Sequence, residues 1–468
     1  MSKKIGRGAL AALAAGAMAL TLGSAASAEV VDADNPIISV PEATVGSAKL
    51  HRIADADRIL TAVKASKSSN NWGNFNTTFS NWWVCEDTTF AAFHHQPVNL
   101  PVGTTRHLLR TLVPPSYVTC TVEVNPNSIK TTGKIDIIVA RADDYPDALA
   151  AAPLADVLDA PVLLHPNDLI DNDSRPGYTD LGLHPAVKAE IERLANIGVQ
   201  NKTQVTVHLL GATQALSHAV ENAIDDISGV DVTLRHQGTN RFQTATSIAG
   251  VTANWYRVDS GATTPDINVY LTTGLDFPDA LSAGAAAAEN DGVVILTNGT
   301  GWDRDGFSRD FLSARNTWIN DGWFNRNTSE VFAVGGPSAA AAAGADGTTV
   351  AASYVGATRF ETAAITAQAT FNNPKNFAIV SGITFPDALV GGAFIANADG
   401  PLLLTNNDSL HPATADYLSD NGEGYDPVVP NVNSGDNVIV FGGGNSVSQN
   451  VSAQVKALLE TLFAQPNW

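Results

Sequence analysis

Three arginines and three aspartates are the residues of this chain best placed to do chemistry, because each recurs in the same local setting. Arg58, Arg241 and Arg359 each follow a small or polar residue and precede an apolar residue, with Thr61-Ala62, Thr244-Ala245 and Thr362-Ala363 completing the pattern. Asp147, Asp279 and Asp387 each stand between Pro146, Pro278 or Pro386 and an Ala-Leu pair. A guanidinium presents a planar fork of donors that fits a carboxylate or a phosphate, a role that Lys fills poorly. The arginines therefore read either as basic groups for an acidic ligand or as structural partners of the motif carboxylates. Carboxylates in groups could also do acid–base work or hold a divalent ion.

The catalytic and metal readings find little support. Asp143 and Asp144 with Asp147 are explained by helix capping. Asp171, Asp173 and Asp180 lack the residue order of a calcium loop, as do Asp303 and Asp305 before Gly306. No GxSxG, HExxH or Cys-His arrangement is present. The chain reads as a non-catalytic protein with no cofactor and no metal.

The elements that must carry these residues form a repeated unit. Apolar runs without alternation, such as Ile135 to Val139 and Asn376 to Val380, fit strands covered on both faces. Asp144, Asp276 and Thr384 are expected N-caps, with the motif aspartates three residues on as a capping-box variant. The prolines then fall in the first helical turn, where a missing N–H is harmless. A second apolar strand follows, and the span from motif Asp to its last Leu is 17 residues in every copy: 147 to 164, 279 to 296, 387 to 404. A constant spacing through changing residues marks a structural repeat. Strand, helix and strand make a βαβ unit with a parallel sheet. Each copy closes on a strand ending in glycine, at Gly211, Gly335-Gly336 and Gly442-Gly443-Gly444. These read as tight turns rather than phosphate cradles, since GxGxxG spacing and a Walker lysine are missing.

Copies run over 51–228, 229–349 and 350–468, behind a secretory signal at 1–28 and a polar leader at 29–50. Lys3, Lys4 and Arg7 start that signal, Ala9 to Leu22 form its apolar core, and Ala26-Ser27-Ala28 its cleavage site. No later stretch is long enough to span a membrane. Against 27 basic residues stand 47 acidic ones, a net charge of −20, which argues against a nucleic-acid partner. Copy one carries an insertion, 67–130, rich in aromatics (Trp72, Phe75, Phe79, Trp82, Trp83, Phe90, Phe93). It reads either as a glycan- or protein-binding face or as a small β subdomain with an aromatic core. Cys85 and Cys120, in an exported chain, are expected to form one disulfide worth roughly 3–4 kcal/mol on the chain-entropy model.

The Arg-Phe-x-Thr-Ala, Phe-Pro-Asp-Ala-Leu, Pro-x-Leu-Leu-Thr and Val-x-Gly-Gly elements resemble the cell wall binding repeat 2 family. The resemblance covers nearly all of the chain beyond the leader and the insertion. It implies three Toprim-like, Rossmann-like α/β modules with parallel sheets, packed in a pseudo-threefold arrangement. It also implies noncovalent attachment of a secreted, surface-associated protein to an anionic cell-wall polysaccharide or teichoic-acid-like polymer. Copy one departs from the pattern at Ile59, Tyr145, His165 and Ala212, and copy two at Asp291, so copy three is expected to bind best.

Overall fold

The structure, a computed structural model, describes residues 43–45, 48–55, 57–68, 132–167, 182–201, 203–260, 266–318, 329–344, 347–419 and 436–464. It also describes the backbone of the strands at 74–78, 81–85, 97–98, 105–110 and 116–124. The expected signal and leader fall outside these residues, apart from strand residues 43–45 and 48–50, as do the insertion's side chains beyond residue 68.

Three sheets correspond to the three copies, and each is built on the central apolar strand that leads into Pro-Asp-Ala: Thr132–Arg141, Val269–Thr273 and Asn376–Ser381. The Leu-rich strand pairs parallel on one side of it (Val162–His165, Val293–Thr297, Leu402–Thr405), and the glycine strand on the other (Gln204–Leu210, Val331–Val334, Asn437–Phe441). These strands are buried throughout their central runs, as expected of a sheet covered on both faces.

The constant 17-residue span has a clear cause. Each Pro-Asp-Ala helix ends at an aspartate in the left-handed region, Asp159, Asp291 or Asp399, with φ of 49°, 49° and 50°. Asp is among the few non-glycine residues that tolerate this conformation, and it turns the chain directly into the next strand. Copy one differs only in starting with a 3-10 turn, Pro146–Ala148, before the helix Ala151–Leu158.

Sheet boundaries do not follow the repeat boundaries read from sequence. The fourth strand of copy one's sheet is Val232–His236, and that of copy two's is Ala352–Tyr354. Both lie past the expected boundaries at 228 and 349. Copy three's sheet is completed by Ala48–Ile53 from the start of the chain, with Ala43–Val45 antiparallel outside it. Each such strand leads into the Arg helix of the following copy: Arg58–Lys67, Arg241–Ser260 or Arg359–Thr370. Every Arg helix packs between the Leu-rich strand of its own copy and the Pro-Asp-Ala helix of the preceding one. Copy three is in this sense followed by copy one, so the chain closes a ring.

At the centre the three Pro-Asp-Ala helices contact one another pairwise. Their Ala and Gly content lets the backbones approach: a Cβ on Gly284 would lie 3.0 Å from that of Ala152. Tyr145, Phe277 and Phe385, which precede the prolines, form a triangle with centroids 5.6, 5.4 and 6.0 Å apart and rings inclined by about 60°. Inclined contacts of this kind put ring edges against ring faces, the favoured aromatic geometry.

The insertion builds a separate antiparallel sheet in the order Pro97–Val98, Asn81–Cys85, Ser116–Val124, Thr105–Arg110. Its first strand, Asn74–Thr78, pairs instead with the start of copy one's central strand. Within the separate sheet the backbone register sets Cys85 opposite Cys120.

Copy one's sheet also buries a chain of four ionisable side chains. His208 Nε2 lies 2.8 Å from Asp136 Oδ1, and His208 Nδ1 lies 2.8 Å from His236 Nε2. Lys134 Nζ is 3.1 Å from Asp136 Oδ2 and 3.8 Å from the centroid of the Trp255 ring. Copy two places Phe332 and Tyr354 where copy one has the two histidines, stacked at 5.8 Å. Burial, reinforced by neighbouring His208, pushes His236 well below its ordinary value of 6.5. The unfolded chain therefore takes up a proton that the native state resists, and stability present above pH 6.5 is lost as pH falls below it. His236→Tyr, the residue copy two uses, should flatten this loss: its denaturation midpoint should fall less than the wild type's between pH 7.5 and 5.5.

Candidate functional site

The three arginines are held in equivalent positions at the starts of their helices. Arg58 Nη1 donates to the Ala142 carbonyl at 2.8 Å, Arg241 Nη1 to Gly274 at 2.6 Å, and Arg359 Nη1 to Gly382 at 2.7 Å. Those carbonyls end the central strand of the same copy, so each arginine ties its helix to the strand that launches Pro-Asp-Ala. Its other side faces the preceding copy. Arg241 lies 5.9 Å from the Tyr145 ring centroid and Arg359 5.9 Å from that of Phe277. Arg359 Nη2 also pairs with Asp276 Oδ2 at 3.1 Å.

The motif aspartates serve these joints between copies. The helices start at the prolines, and their N-cap residues, Tyr145, Phe277 and Phe385, make no side-chain capping bond. This corrects the capping expectation: Asp144 and Asp276 accept instead from the N–H of the very next residue. Asp147, Asp279 and Asp387 point across to the glycine turn of their own copy. An ideal Cβ would lie 2.5 Å from Asp147 Oδ2 on Gly211, 1.9 Å from Asp279 Oδ2 on Gly335, and 2.8 Å from Asp387 Oδ2 on Gly442. All three glycines have positive φ, at 99°, 88° and 107°. Gly is thus required both for backbone conformation and for close approach. A carboxylate already facing each turn accounts for the turns without an external phosphate.

From the following copy, the Thr244 hydroxyl lies beside Asp147 and that of Thr61 beside Asp387. Burial raises the pKa of all three carboxyls. Asp279 reaches about 6, with Asp276 adding to the rise and Arg359 opposing it.

A cleft of about 830 Å³ opens at the joint of copies one and two. Arg141, Asp147 and the 212–215 turn line it from copy one. Gln237 to Asn240, Arg241 and Gln243 line it from the segment that enters copy two. Arg141 holds Asp143 with two bonds, Nε to Oδ1 at 2.9 Å and Nη2 to Oδ2 at 2.7 Å, and its Nη1 lies 4.0 Å from Asp144. Sequence reading passed over Arg141, although copies two and three carry Thr273 and Ser381 at the same position, and that difference was the available signal. Among the described residues no cluster of three or more His, Cys, Asp or Glu could hold a metal ion. Asp303 accepts from the N–H groups of Phe307 and Ser308 and so caps a helix. Asp171, Asp173 and Asp180 lie outside the described residues.

A family model described as cell wall binding domain 2 (CWB2) matches residues 52–221, 235–343 and 354–452. The chain belongs to this family. Its cell wall binding copies place it at the cell wall or cell surface. It is similar to the N-acetylmuramoyl-L-alanine amidase LytC of Bacillus subtilis (strain 168), 24% identical over 331 residues, which are 70% of this chain and 55% of that protein. Among solved structures, Cwp6 and Cwp8 from Clostridium difficile match its fold with TM-scores of 0.56 and 0.54, at 18% and 17% identity. The matches cover 91% and 88% of this chain and 51% and 52% of those proteins. The chain thus spans about half the length of the relatives it matches.

Two substitutions check the construction of these CWB2 joints. Gly335 adopts φ 88° and ψ 153°, a region open almost only to glycine. Gly335→Ala should cost roughly 2–3 kcal/mol of stability in a denaturation titration, from strain and from the Asp279 contact. Asp279, whose native pKa exceeds its unfolded value, makes the native state the better proton acceptor, so its burial penalty is relieved as pH falls through about 6. Asp279→Asn should remove that gain, so that wild type stabilises relative to the variant between pH 7 and pH 5.

Proposed function

We propose that the chain is a non-catalytic wall anchor that binds an anionic glycopolymer noncovalently in clefts between its CWB2 copies. The observation that carries this reading is the cleft at the joint of copies one and two, where Arg141 and Arg241 stand among amide and hydroxyl side chains. Guanidinium groups supply donors for acidic substituents, and amides supply both donors and acceptors for sugar hydroxyls. Placement of the motif carboxylates at structural joints supports the absence of catalysis, since each is engaged by its glycine turn and by the neighbouring copy. The amidase activity named for the LytC relative belongs to a protein nearly twice the length matched here, and we assign none of it to these copies. Repeated weak sites would add avidity wherever one polymer strand spans two of them. A signal at 1–28 would deliver the protein to the wall.

Cosedimentation with isolated Gram-positive wall sacculi tests the proposal. Binding to intact sacculi, lost when their anionic polymers are stripped, is the expected result. No binding to intact sacculi would overturn it.

A second reading is favoured by the insertion's sheet, which is separate from those of the three copies. In this reading the insertion recognises a protein or glycan partner and the copies act as scaffold. Deleting residues 69–130 separates the two, since wall binding survives the deletion only in the first. The facing Cys85 and Cys120 backbones support a disulfide that staples this sheet. Intact mass of the secreted protein should be short by two hydrogens and regain them on reduction.

A further inference from the structure

We infer that the three joints are unequal and that the cleft between copies one and two is the primary anion-binding subsite, with Arg241 as its ligand-binding cation and Arg141 as the residue that keeps Arg241 available. The inference rests on the wall-polymer reading above and assigns it to one place.

The three joint arginines differ in what else they hold. Arg359 is committed, because its Nη2 pairs with Asp276 of the preceding copy. Arg241 bonds only the Gly274 carbonyl, and its remaining guanidinium N–H groups make no hydrogen bond or ion pair among the described residues. The carboxylate that should pair with it, by analogy with Asp276, is Asp144. Both residues spend one oxygen on the next backbone N–H, from Tyr145 and Phe277. Asp276 turns its second oxygen to Arg359, whereas Asp144 turns its second oxygen toward Arg141. Copy two has Thr273 in place of Arg141 and so has no such competitor. Arg141 therefore draws the native counter-ion off Arg241.

The third joint is open in a different way. Copy three has Thr384 in place of the pairing carboxylate, so Arg58 also lacks an ion pair among the described residues. Its surroundings are acidic, because Asp55 and Asp57 stand where copy two's entry has Gly238 and Asn240. Like charge beside the arginine disfavours an incoming anion.

The linings diverge in the same direction. Gln237 and Gln243 at the first joint correspond to Val355 and Glu361 at the second and to Ala54 and Leu60 at the third. Only the first joint combines a guanidinium that makes no ion pair among the described residues with the amides of Gln237 and Gln243, although the buried Asp147 carboxyl also lines the cleft and Asn240 bonds Asp305 at its edge. That combination suits a sugar or polyol chain bearing phosphate or carboxylate groups. The ranking by motif agreement, which favours copy three, is reversed.

The experiment is cosedimentation with intact wall sacculi for the full chain and for R241Q, R359Q and R58Q. Each variant loses the equivalent bond to a strand-end carbonyl, so the three should be similarly destabilised, and melting curves check this. Only R241Q should weaken binding by tenfold or more, with R359Q and R58Q within threefold of wild type. R141T should weaken binding by freeing Asp144 to pair with Arg241. Adding D144T, the residue copy three carries, should restore it, which a purely structural role for Arg141 would not produce. Wild-type binding with equal losses in all three variants, or with the largest loss in R359Q, would overturn the inference and leave the wall-anchor function standing. Failure of the wild type to bind intact sacculi would remove that function itself.

Discussion

A carboxyl group removed most of the way from water must be given partners, and in this chain those partners come from two copies at once. Asp147, Asp279 and Asp387 each lie against a glycine turn of their own copy, while an arginine of the next copy's helix approaches from the other side, joined by a threonine at Asp147 and Asp387. Neither half suffices alone, because an unpartnered buried carboxyl costs several times what a satisfied one does. The joint therefore fixes three things together: a turn that only glycine can make, a helix that begins with arginine, and a neighbour that must be present. Exchange of the fourth strand follows the same logic. The strand that feeds the Arg helix belongs to the preceding sheet, so a copy cut at its repeat boundary would expose a sheet edge and half a joint.

Against this shared frame the copies have diverged mainly where charge is involved. Copy one acquires Arg141, which redirects Asp144, and the buried Lys134–Asp136–His208–His236 chain. The positions of Asp136, His208 and His236 carry Asn268, Phe332 and Tyr354 in copy two, and Asn376, Ile439 and Ile53 in copy three. The fold is thus built twice in one molecule without the ionisable chain. Buried ion pairs of this kind add little stability relative to a well-packed apolar equivalent. Their presence in the copy whose central strand also carries the insertion marks copy one as the specialised member of the ring.

Much of the fold was legible because it repeats. The 17-residue span, the prolines and the glycine turns set the βαβ order. What misled was local similarity between different physical causes. An aspartate three residues after a small polar residue looks like half of a capping box, yet the proline fixes the helix start one residue too late for that pairing. The carboxylate then points across a joint that sequence alone does not display. The sheets do not divide at 228 and 349, although the copies do, for a related reason: a strand's chain neighbours say nothing of which sheet will accept it. Arg58, Arg241 and Arg359 occupy equivalent positions, and the two alternatives offered for them are not exclusive. Each spends one donor on structure, and what the remaining donors meet differs from joint to joint.

Ring closure has a consequence for ligand binding. The cleft is walled by copy one on one side and by the entry to copy two on the other, so it exists only while that joint is shut. A ligand that bridges both walls binds the closed state and not the open one, and it stabilises closure in proportion to the logarithm of its concentration over Kd. Strand Ala48–Ile53 lies at the far end of the same circuit, in copy three's sheet, so opening at any joint loosens the constraint on the others. Substitutions at separate joints should accordingly couple rather than add, because they share one closure equilibrium even though their side chains never touch.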